Sequence, residues 1–293
     1  MKRIKFEQAI DEYLEFVKLK KKMDTYSTVE RRIKKHIQPF FNNKYIDELS
    51  PFDIIKWQLE IEKLGFKYNY KSSLYYALSN FYLFCSNFYD VENIVKKVGN
   101  FKNDEIKQIG DIWSYEEFKK FLDSIDNEMY HLLYQLLYFG GMRKGELLAL
   151  KWEDVDFTSK TITINKTITR EHVIQPPKTK SSNRIIMLDD LLLEELKKYS
   201  HQKNKNDFIF NISFTQLKRK KDYYCKLAGV KQIKIHEFRH SHACLLYVND
   251  VPIDQISNRL GHSKISITTD TYLKYLPKNE KRVISTLNSL RFN

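Results

Sequence analysis

The hydrophobic positions of the first hundred residues repeat with a helical period. Apolar side chains recur every three or four residues at Phe6, Ile10, Leu14 and Val17, which places them on one face of a helix. A later segment, about 70–88, is rich in Tyr and Phe and repeats in the same way. Short amphipathic helices with short loops are typical of a bundle, so a four-helix bundle is predicted over this region.

Two capping patterns predict where helices of this bundle begin. Ser27 is followed three residues later by Glu30, a capping box that predicts a basic helix continuing through residue 40. Ser50 stands before Pro51, which supplies an N-cap residue and a proline at the first helical position of the next helix. Each pattern thus predicts one helix start.

Beyond residue 112 the pattern is again helical at first. Ser114 and Glu117 form another capping box, which predicts a helix from there to about Phe139. Gly140-Gly141 ends this helix, and Arg143 then stands at the start of the next one. Free amides at a helix start favour anions, so Arg143 is a candidate anion contact, although most arginines in such a place are surface residues.

The period then changes from helical to alternating. Three β-branched segments, 161–164, 167–169 and 184–188, predict a small three-stranded antiparallel sheet, with a basic turn before the last strand. Helices are predicted again over 189–199 and 213–228, in the apolar-periodic segment that ends at Leu260, and over 278–290. The fold class predicted is therefore mainly α with a small antiparallel sheet, an α+β arrangement.

Length and local composition predict two domains. A chain of 293 residues exceeds the usual size of one domain. Residues 96–112 contain Lys, Asn, Gly and Asp without periodicity, and such a stretch is typical of a linker. The predicted domains are therefore 1–105 and 106–293.

The charge balance favours a polyanionic partner. The chain has 50 Lys and Arg against 37 Asp and Glu, a net charge of +13. No run of 18 apolar residues and no Trp-rich basic helix occurs, so nucleic acid is favoured over a membrane. In the predicted bundle, Lys20, Lys21, Lys22 and Arg31 are candidate phosphate contacts, and a merely solvated helix face is an equally open interpretation.

Cysteine usage and the start of the chain indicate an intracellular protein. Cys85, Cys225 and Cys244 are odd in number and widely spaced, which fits neither a disulfide framework nor a zinc site. No apolar segment of a signal peptide follows Met1. A cytoplasmic location is therefore predicted, with no metal and no cofactor.

The candidate chemistry is concentrated between residues 236 and 272. His236 and Arg239 have i,i+3 spacing, so on a helix an imidazole and a guanidinium leave the same face and form a cradle for phosphate. Gly261 follows an apolar-periodic segment, where a helix would end, and His262 comes next. Tyr272 lies in a polar Ser/Thr-rich run. Together these residues suggest phosphoryl transfer with a tyrosine nucleophile, although each alone is a weak signal among 19 tyrosines.

The order of these motifs resembles the tyrosine recombinase (phage integrase) family. Gly141-Met142-Arg143-Lys144-Gly145-Glu146-Leu147 is similar to that family's first-arginine motif, and Pro177-Lys178-Thr179-Lys180 to its hairpin-lysine motif. His236-x-x-Arg239, Leu260-Gly261-His262 and Tyr272 complete the set. The resemblance implies a helical core-binding domain over 3–100 and a catalytic domain over 110–293.

The resemblance also implies the role of each site residue. Tyr272 would attack the scissile phosphate, leaving a 3′-phosphotyrosyl link and a free 5′-hydroxyl. Arg143 and Arg239 would bind the non-bridging oxygens, and Lys178 would protonate the leaving oxygen. His236 would assist deprotonation of the tyrosine, and His262 would donate a hydrogen bond to the phosphate. Glu146 would orient a neighbouring residue, and Lys180 would contact DNA.

The implied partners are double-stranded recombination sites and three further copies of the chain, forming a homo-tetramer on two duplexes. An accessory excisionase or DNA-bending protein is also implied. Because the first predicted helix begins close to Met1, the expectation is a chain without the small arm-binding domain, either a compact two-domain member or a shortened integrase. The open alternatives are a chromosome or plasmid dimer resolvase, a type IB topoisomerase and a non-catalytic DNA-binding protein.

Overall fold

The computed structural model describes residues 3–104, 111–169, 171–177, 180–200 and 204–272, with the backbone alone for residues 180, 267 and 270–272. The chain divides into two compact units, Met1–Lys107 and Gln108–Asn293. Both units are mainly helical, and the second contains short antiparallel strands, which confirms the predicted fold class.

The first unit is a helical bundle around an aromatic core. Phe6, Trp57 and Phe81 are fully buried, and the Phe6 and Phe81 ring centroids lie 5.0 Å apart. Its helices are α1 (Phe6–Lys20), α2 (Met23–His36), α3 (Gln38–Phe41), α4 (Pro51–Lys63), α5 (Tyr68–Tyr89) and α6 (Ile94–Val98).

One predicted helix start in this unit is confirmed and the other is wrong. Ser50 caps α4, and a reciprocal capping box with Asp53 is present. Ser27 lies inside α2, which begins four residues earlier at Met23 because Tyr26 already packs against the core. The same helix was predicted to continue through residue 40 but ends at His36, since Pro39 follows in α3 and has no N–H to donate to a preceding turn.

The basic residues predicted to contact DNA lie on the surface of this unit. Lys20, Lys21, Lys22 and Arg31 are all exposed, at the end of α1, in the turn after it and on α2. Exposure fits both a DNA contact and a solvated helix face, so their contact with DNA stays a prediction.

The second unit packs its helices around a central apolar helix. Its elements are α7 (Tyr115–Asp123), α8 (Glu128–Phe139), α9 (Lys144–Leu147), β1 (Val155–Asp156), β2 (Thr161–Ile164), β3 (Thr167–Ile168), β4 (Ile174–Gln175), β5 (Arg184–Met187), α10 (Asp190–Tyr199), α11 (Phe214–Leu227), α12 (Ile235–Val248), α13 (Ile253–Leu260) and α14 (Ile265–Tyr272). Helix α8 is buried on nearly all sides, and Tyr138 on it stacks on Phe118 with centroids 3.8 Å apart.

The single helix predicted from Ser114 to Phe139 is two helices. The capping box of Ser114 and Glu117 is present, but α7 ends at Asp123. Asn127 then caps α8 by accepting a hydrogen bond from the backbone N–H of Tyr130. A second N-cap inside an apolar-periodic stretch therefore starts a new helix in a new direction.

The strands form two small sheets rather than the one predicted. The three-stranded sheet has the order β1-β2-β5, and Ile162 pairs with Ile186 across β2 and β5. The predicted middle strand is wrong: Thr167 and Ile168 pair instead with β4 in a separate hairpin. Strand β1 has only two residues, too few to show an alternating period.

The segment predicted as a linker is partly structured. Helix α6 overlaps its start, Phe101 is buried in the core of the first unit, and Trp113 is buried in that of the second. In the described ranges no helix has the length and apolarity to cross a membrane. The helix predicted over 278–290 lies outside the described residues.

Candidate active site

Arg143 follows a tight turn that brings it to the edge of the helical core. Gly141 has a φ of +60°, and a Cβ there would lie 2.5 Å from Cδ2 of His242 on α12. The turn can therefore pack this closely only with glycine. Arg143 is the extended residue directly before α9, and about a third of its side chain is exposed.

Arg239 joins two of the predicted site segments. It is 1% exposed, and its Nη1 donates to the carbonyl oxygen of Gly141 at 2.8 Å. Its Nη2 donates to the carbonyl oxygen of Leu260. A buried guanidinium on α12 thus holds the turn before Arg143 and the turn before His262 in one place.

Glu146 lies beneath Arg143 and binds it twice. One carboxylate oxygen accepts from the Arg143 backbone N–H at 3.0 Å, and the other accepts from its Nη1 at 2.7 Å. Arg184, on β5, donates to the same carboxylate at 2.8 Å. Burial would raise the pKa of Glu146, but hydrogen bonds and charge from Arg184, with a smaller effect of Arg143, lower it to about 2.

His262 lies just past the end of α13, as predicted. Gly261 ends that helix with φ +67° in the left-handed region. The Nδ1 atom of His262 lies 2.7 Å from the hydroxyl of Thr268, which is fully buried on α14. Tyr272 is the last residue of α14, one helical turn after Thr268. The histidine is therefore tied to the helix that carries the predicted nucleophile.

Both predicted site histidines are neutral at physiological pH. His236 is exposed, but the burial of part of its ring and the charges of Arg239 and Arg143 lower its pKa to about 4. Burial and the charges of Arg239 and Arg143 lower the pKa of His262 to about 3. A neutral imidazole has one nitrogen that donates and one that accepts. Each ring can therefore both give and take a hydrogen bond.

The structure places four of the predicted residues on segments that hydrogen bonds hold together. Glu146 binds Arg143, and Arg239 binds the turns that precede Arg143 and His262. His236 lies one turn before Arg239 on α12, near enough to both arginines for their charges to lower its pKa. Lys178 and the side chains of Lys180 and Tyr272 lie outside the described residues. Among the residues described, no group of three or more His, Cys, Asp or Glu has the geometry of a metal site.

Sequence reasoning missed Arg184, Thr268 and Arg259. Arg259 donates to the Phe139 carbonyl oxygen at 3.0 Å and to Nε2 of the buried His242 at 3.1 Å. A signal for Arg184 was present in strand β5, because Arg184 lies two residues before the buried Ile186 and so shares its inward face. A charged residue on the buried face of a strand requires a charged partner.

Comparison with known proteins gives consistent matches over nearly the whole chain. A family model described as the phage integrase family matches residues 100–278, and one described as phage integrase, N-terminal SAM-like domain, matches residues 5–61. The ICEBs1 integrase of Bacillus subtilis (strain 168) is 26% identical over 314 residues, covering 98% of this chain and 83% of that protein.

Solved structures share the fold. The Tn1549 transposon integrase in complex with a circular intermediate DNA has a TM-score of 0.78 at 17% identity, covering 96% of this chain and 99% of that one. The lambda integrase tetramer bound to a Holliday junction has a TM-score of 0.70 at 16% identity, covering 92% of this chain and 77% of that one.

Proposed function

Because the chain belongs to the phage integrase family, whose members are DNA strand-transferring site-specific recombinases, we propose that Tyr272 is its nucleophile and that the residues around it form the active site. The observation that supports this most directly is that the buried Arg239 binds the turn before Arg143 and the turn before His262, through the carbonyl oxygens of Gly141 and Leu260. Arg239 bonds to a segment 98 residues earlier and to another 21 residues later. Such convergence provides a cationic cradle of the kind that a phosphodiester needs.

The cleavage step conserves the free energy of the broken bond. The Oη atom of Tyr272 attacks the scissile phosphorus, a new P–O bond forms to the tyrosine, and the bond to the 5′-oxygen breaks. The neutral His236 accepts the tyrosine proton, and Lys178 gives a proton to the departing 5′-oxygen. Rejoining reverses these steps with a 5′-hydroxyl as the attacking group, so neither ATP nor a metal enters the scheme.

The guanidinium groups stabilise the transition state. The pentavalent phosphorane carries additional negative charge on its non-bridging oxygens, and Arg143 and Arg239 are fork-shaped donors for these atoms. In the tautomer that this mechanism requires, His262 carries its proton on Nε2 and donates it to a phosphate oxygen, while Nδ1 accepts from the Thr268 hydroxyl 2.7 Å away. Glu146 fixes the orientation of Arg143.

The biological role that we propose is integration and excision of a mobile element. The ICEBs1 and Tn1549 proteins are integrases by name, and both match nearly the whole of this chain. We assign residues 1–105 to core DNA binding, through Lys20, Lys21, Lys22 and Arg31, and residues 106–293, with Lys180, to catalysis. A homo-tetramer on two duplexes follows the lambda integrase assembly, and an excisionase or DNA-bending protein would set the direction. A cytoplasmic location stays a prediction.

A suicide substrate tests the nucleophile. A nicked duplex that loses its 5′-hydroxyl fragment after cleavage traps the covalent adduct, which denaturing electrophoresis detects. Tyr272→Phe removes one oxygen and no charge, so we expect no adduct and nearly unchanged DNA binding. Tyr223→Phe, at an exposed tyrosine of α11, is the matched control and is expected to form adduct at the normal rate.

Three other outcomes of this experiment would point to a different conclusion. Adduct formed by Tyr272→Phe as fast as by the wild type would contradict the nucleophile assignment. Adduct by the wild type without strand exchange between two sites would instead favour a type IB topoisomerase, and no adduct at all would favour a non-catalytic DNA-binding protein.

A further inference from the structure

Arg184 is a buried arginine to which neither the sequence motifs nor the mechanism above assigns a role. Its side chain is 5% exposed. Two of its nitrogens donate hydrogen bonds to Glu146, Nη2 to one carboxylate oxygen at 2.8 Å and Nη1 to the other at 3.2 Å. Glu146 is itself 2% exposed, so this fork-to-fork pair is almost fully removed from water.

The same carboxylate also binds Arg143. The backbone N–H and Nη1 of Arg143 donate to it at 3.0 Å and 2.7 Å. Two guanidinium groups therefore share one carboxylate, and the three groups together carry one net positive charge. Arg143 is the more exposed guanidinium of the two, with 35% of its side chain exposed against 5% for Arg184.

We propose that Arg184 is a positioning residue that neutralises Glu146, so that Glu146 can hold Arg143 in place without cancelling the charge that Arg143 presents to the scissile phosphate. This inference rests on the proposed function, in which Arg143 binds that phosphate. Without Arg184, the carboxylate and Arg143 would form an isolated ion pair with no net charge. The buried charge of Glu146 would then oppose an anionic substrate directly.

A second contact extends the role of Arg184 to the turn that carries His262. Its Nε donates to the carbonyl oxygen of Arg259 at 2.8 Å, two residues before Gly261. A Cβ at Gly261 would lie 3.0 Å from Cδ of Arg184, so the turn packs directly on this side chain. Arg184 thus supports both the Arg143 side and the His262 side of the site.

The test compares two substrates with the full-length protein. One carries the ordinary scissile phosphodiester, and the other carries a methylphosphonate there, which has no negative charge. Arg184→Met keeps the length of the side chain and removes its charge. We expect adduct formation on the phosphodiester to fall by about 10- to 100-fold, less than the 10²–10³ typical for loss of a direct donor. On the methylphosphonate it should fall less than about threefold, and an equal fall on both substrates would overturn the proposal.

A double variant makes the test independent of folding defects in the single one. Glu146→Gln removes the charge that Arg184 neutralises and keeps an oxygen to accept from Arg143. Replacing both members of a buried ion pair is often close to neutral for stability. The Arg184→Met, Glu146→Gln protein should therefore cleave the phosphodiester faster than Arg184→Met alone. If the rate reductions of the two single variants simply multiply in the double variant, Arg184 and Glu146 are not energetically coupled, and the inference is contradicted.

Two controls separate this inference from the proposed function. Arg259→Met removes a neighbouring buried guanidinium that binds backbone carbonyls and His242 rather than Glu146, and it should slow both substrates by the same factor. Arg143→Ala tests the proposed function itself and should abolish most cleavage of the phosphodiester. Normal cleavage by Arg143→Ala would refute the proposed role of Arg143. If Arg143→Ala cleaves slowly while Arg184→Met cleaves at the normal rate, only the proposed role of Arg184 is refuted.

Discussion

At the scale of single residues, the candidate site depends on buried guanidinium groups, each of which has its own hydrogen-bond acceptors. Arg239 is held by backbone carbonyl oxygens, Arg184 by Glu146, and Arg259 by carbonyl oxygens and His242. Each of these guanidinium groups has a fixed direction as a result. Of the three, Arg239 is a proposed transition-state donor. A donor that is already oriented needs no reorganisation when charge develops, which is the physical basis of the proposed catalysis.

Lys178 provides a test of the proposed general acid. A 5′-bridging phosphorothioate has a leaving group that departs without a proton, because a thiolate is far more stable than an alkoxide. We expect Lys178→Ala to be slow on ordinary DNA and close to wild type on the thio-substrate. The measurement is the rate of adduct formation on both substrates.

Lys180→Ala is the matched control for that experiment, since it removes a lysine only two residues further along the sequence. It should weaken DNA binding without a difference between the two substrates. If Lys178→Ala is equally slow on both substrates, the general acid is another residue. If Lys180→Ala is slow on ordinary DNA and close to wild type on the thio-substrate, Lys180 is the general acid.

The buried His242 and the half-buried His262 predict an acid-sensitive catalytic unit. Burial, with nearby arginine charges, lowers the pKa of His242 and His262 to about 3, below the value of about 6.5 in an unfolded chain. Between these values the unfolded chain binds more protons, so the free energy of unfolding should decrease as the pH falls from about 6.5 to about 4. Each histidine contributes at most about 1.4 kcal/mol per pH unit.

Urea unfolding at pH values of about 7, 6 and 5 measures this dependence. His242→Gln should make the dependence of the unfolding free energy on pH shallower by at most about 1.4 kcal/mol per pH unit, because the imidazole that resists protonation in the folded chain is gone. His172→Asn is the control at an exposed histidine with positive φ, a conformation that Asn tolerates, and it should leave the slope unchanged. An unchanged slope in His242→Gln would contradict the assignment.

At the scale of elements, the turn after α13 leaves no room for a side chain at Gly261. Gly261 has φ +67°, and a Cβ there would lie 2.7 Å from the carbonyl oxygen of Ser181. The Gly261→Ala variant should therefore lose stability for two reasons, the unfavourable φ and the steric contact, each costing about 1–3 kcal/mol.

Gly229→Ala separates those two causes. Gly229 has φ +64°, and a Cβ there would have no neighbouring atom within 4 Å, so alanine at this position carries the backbone cost alone. Thermal unfolding of both variants should show the larger loss for Gly261→Ala. Adduct assays should show slower cleavage for that variant only, because the turn carries His262. Equal effects of the two substitutions would mean that the close approach is unimportant.

At the scale of the whole molecule, each of the two units has its own core, and the net charge is +13. If both units contact DNA, as proposed, binding should weaken steeply with salt. A protein that neutralises about six to ten phosphates loses roughly 10³–10⁵ in affinity between about 50 and 200 mM salt. Titration of the full chain beside fragments 1–105 and 106–293 measures the slopes.

Each fragment should bind more weakly and with a shallower slope than the full chain, because tethering supplies an effective concentration that separate pieces lack. A fragment 106–293 that matches the full chain in affinity and slope would show that residues 1–105 do not bind DNA. The exposed Lys20, Lys21, Lys22 and Arg31 would then belong to a solvated helix face.

The sequence by itself determined what depends on neighbouring residues. The caps at Ser50 and Ser114, the helix end at Gly261 and the helical period of the first unit are local, since each depends on hydrogen bonds and packing within a turn or two. The order of the site motifs likewise identified the family before any contact was known. The capping pattern at Ser27 failed because packing of Tyr26 extended the helix by one turn.

The tertiary structure alone decided which partner each buried charged group has. Arg184 and Glu146 are 38 residues apart, and Arg239 reaches a carbonyl 98 residues away. No local period encodes such a pairing, because the energy of a buried ion depends on whichever partner the packing of other elements brings to it. For the same reason the strand pairing of β3 with β4, rather than with β2, became visible only in the folded chain.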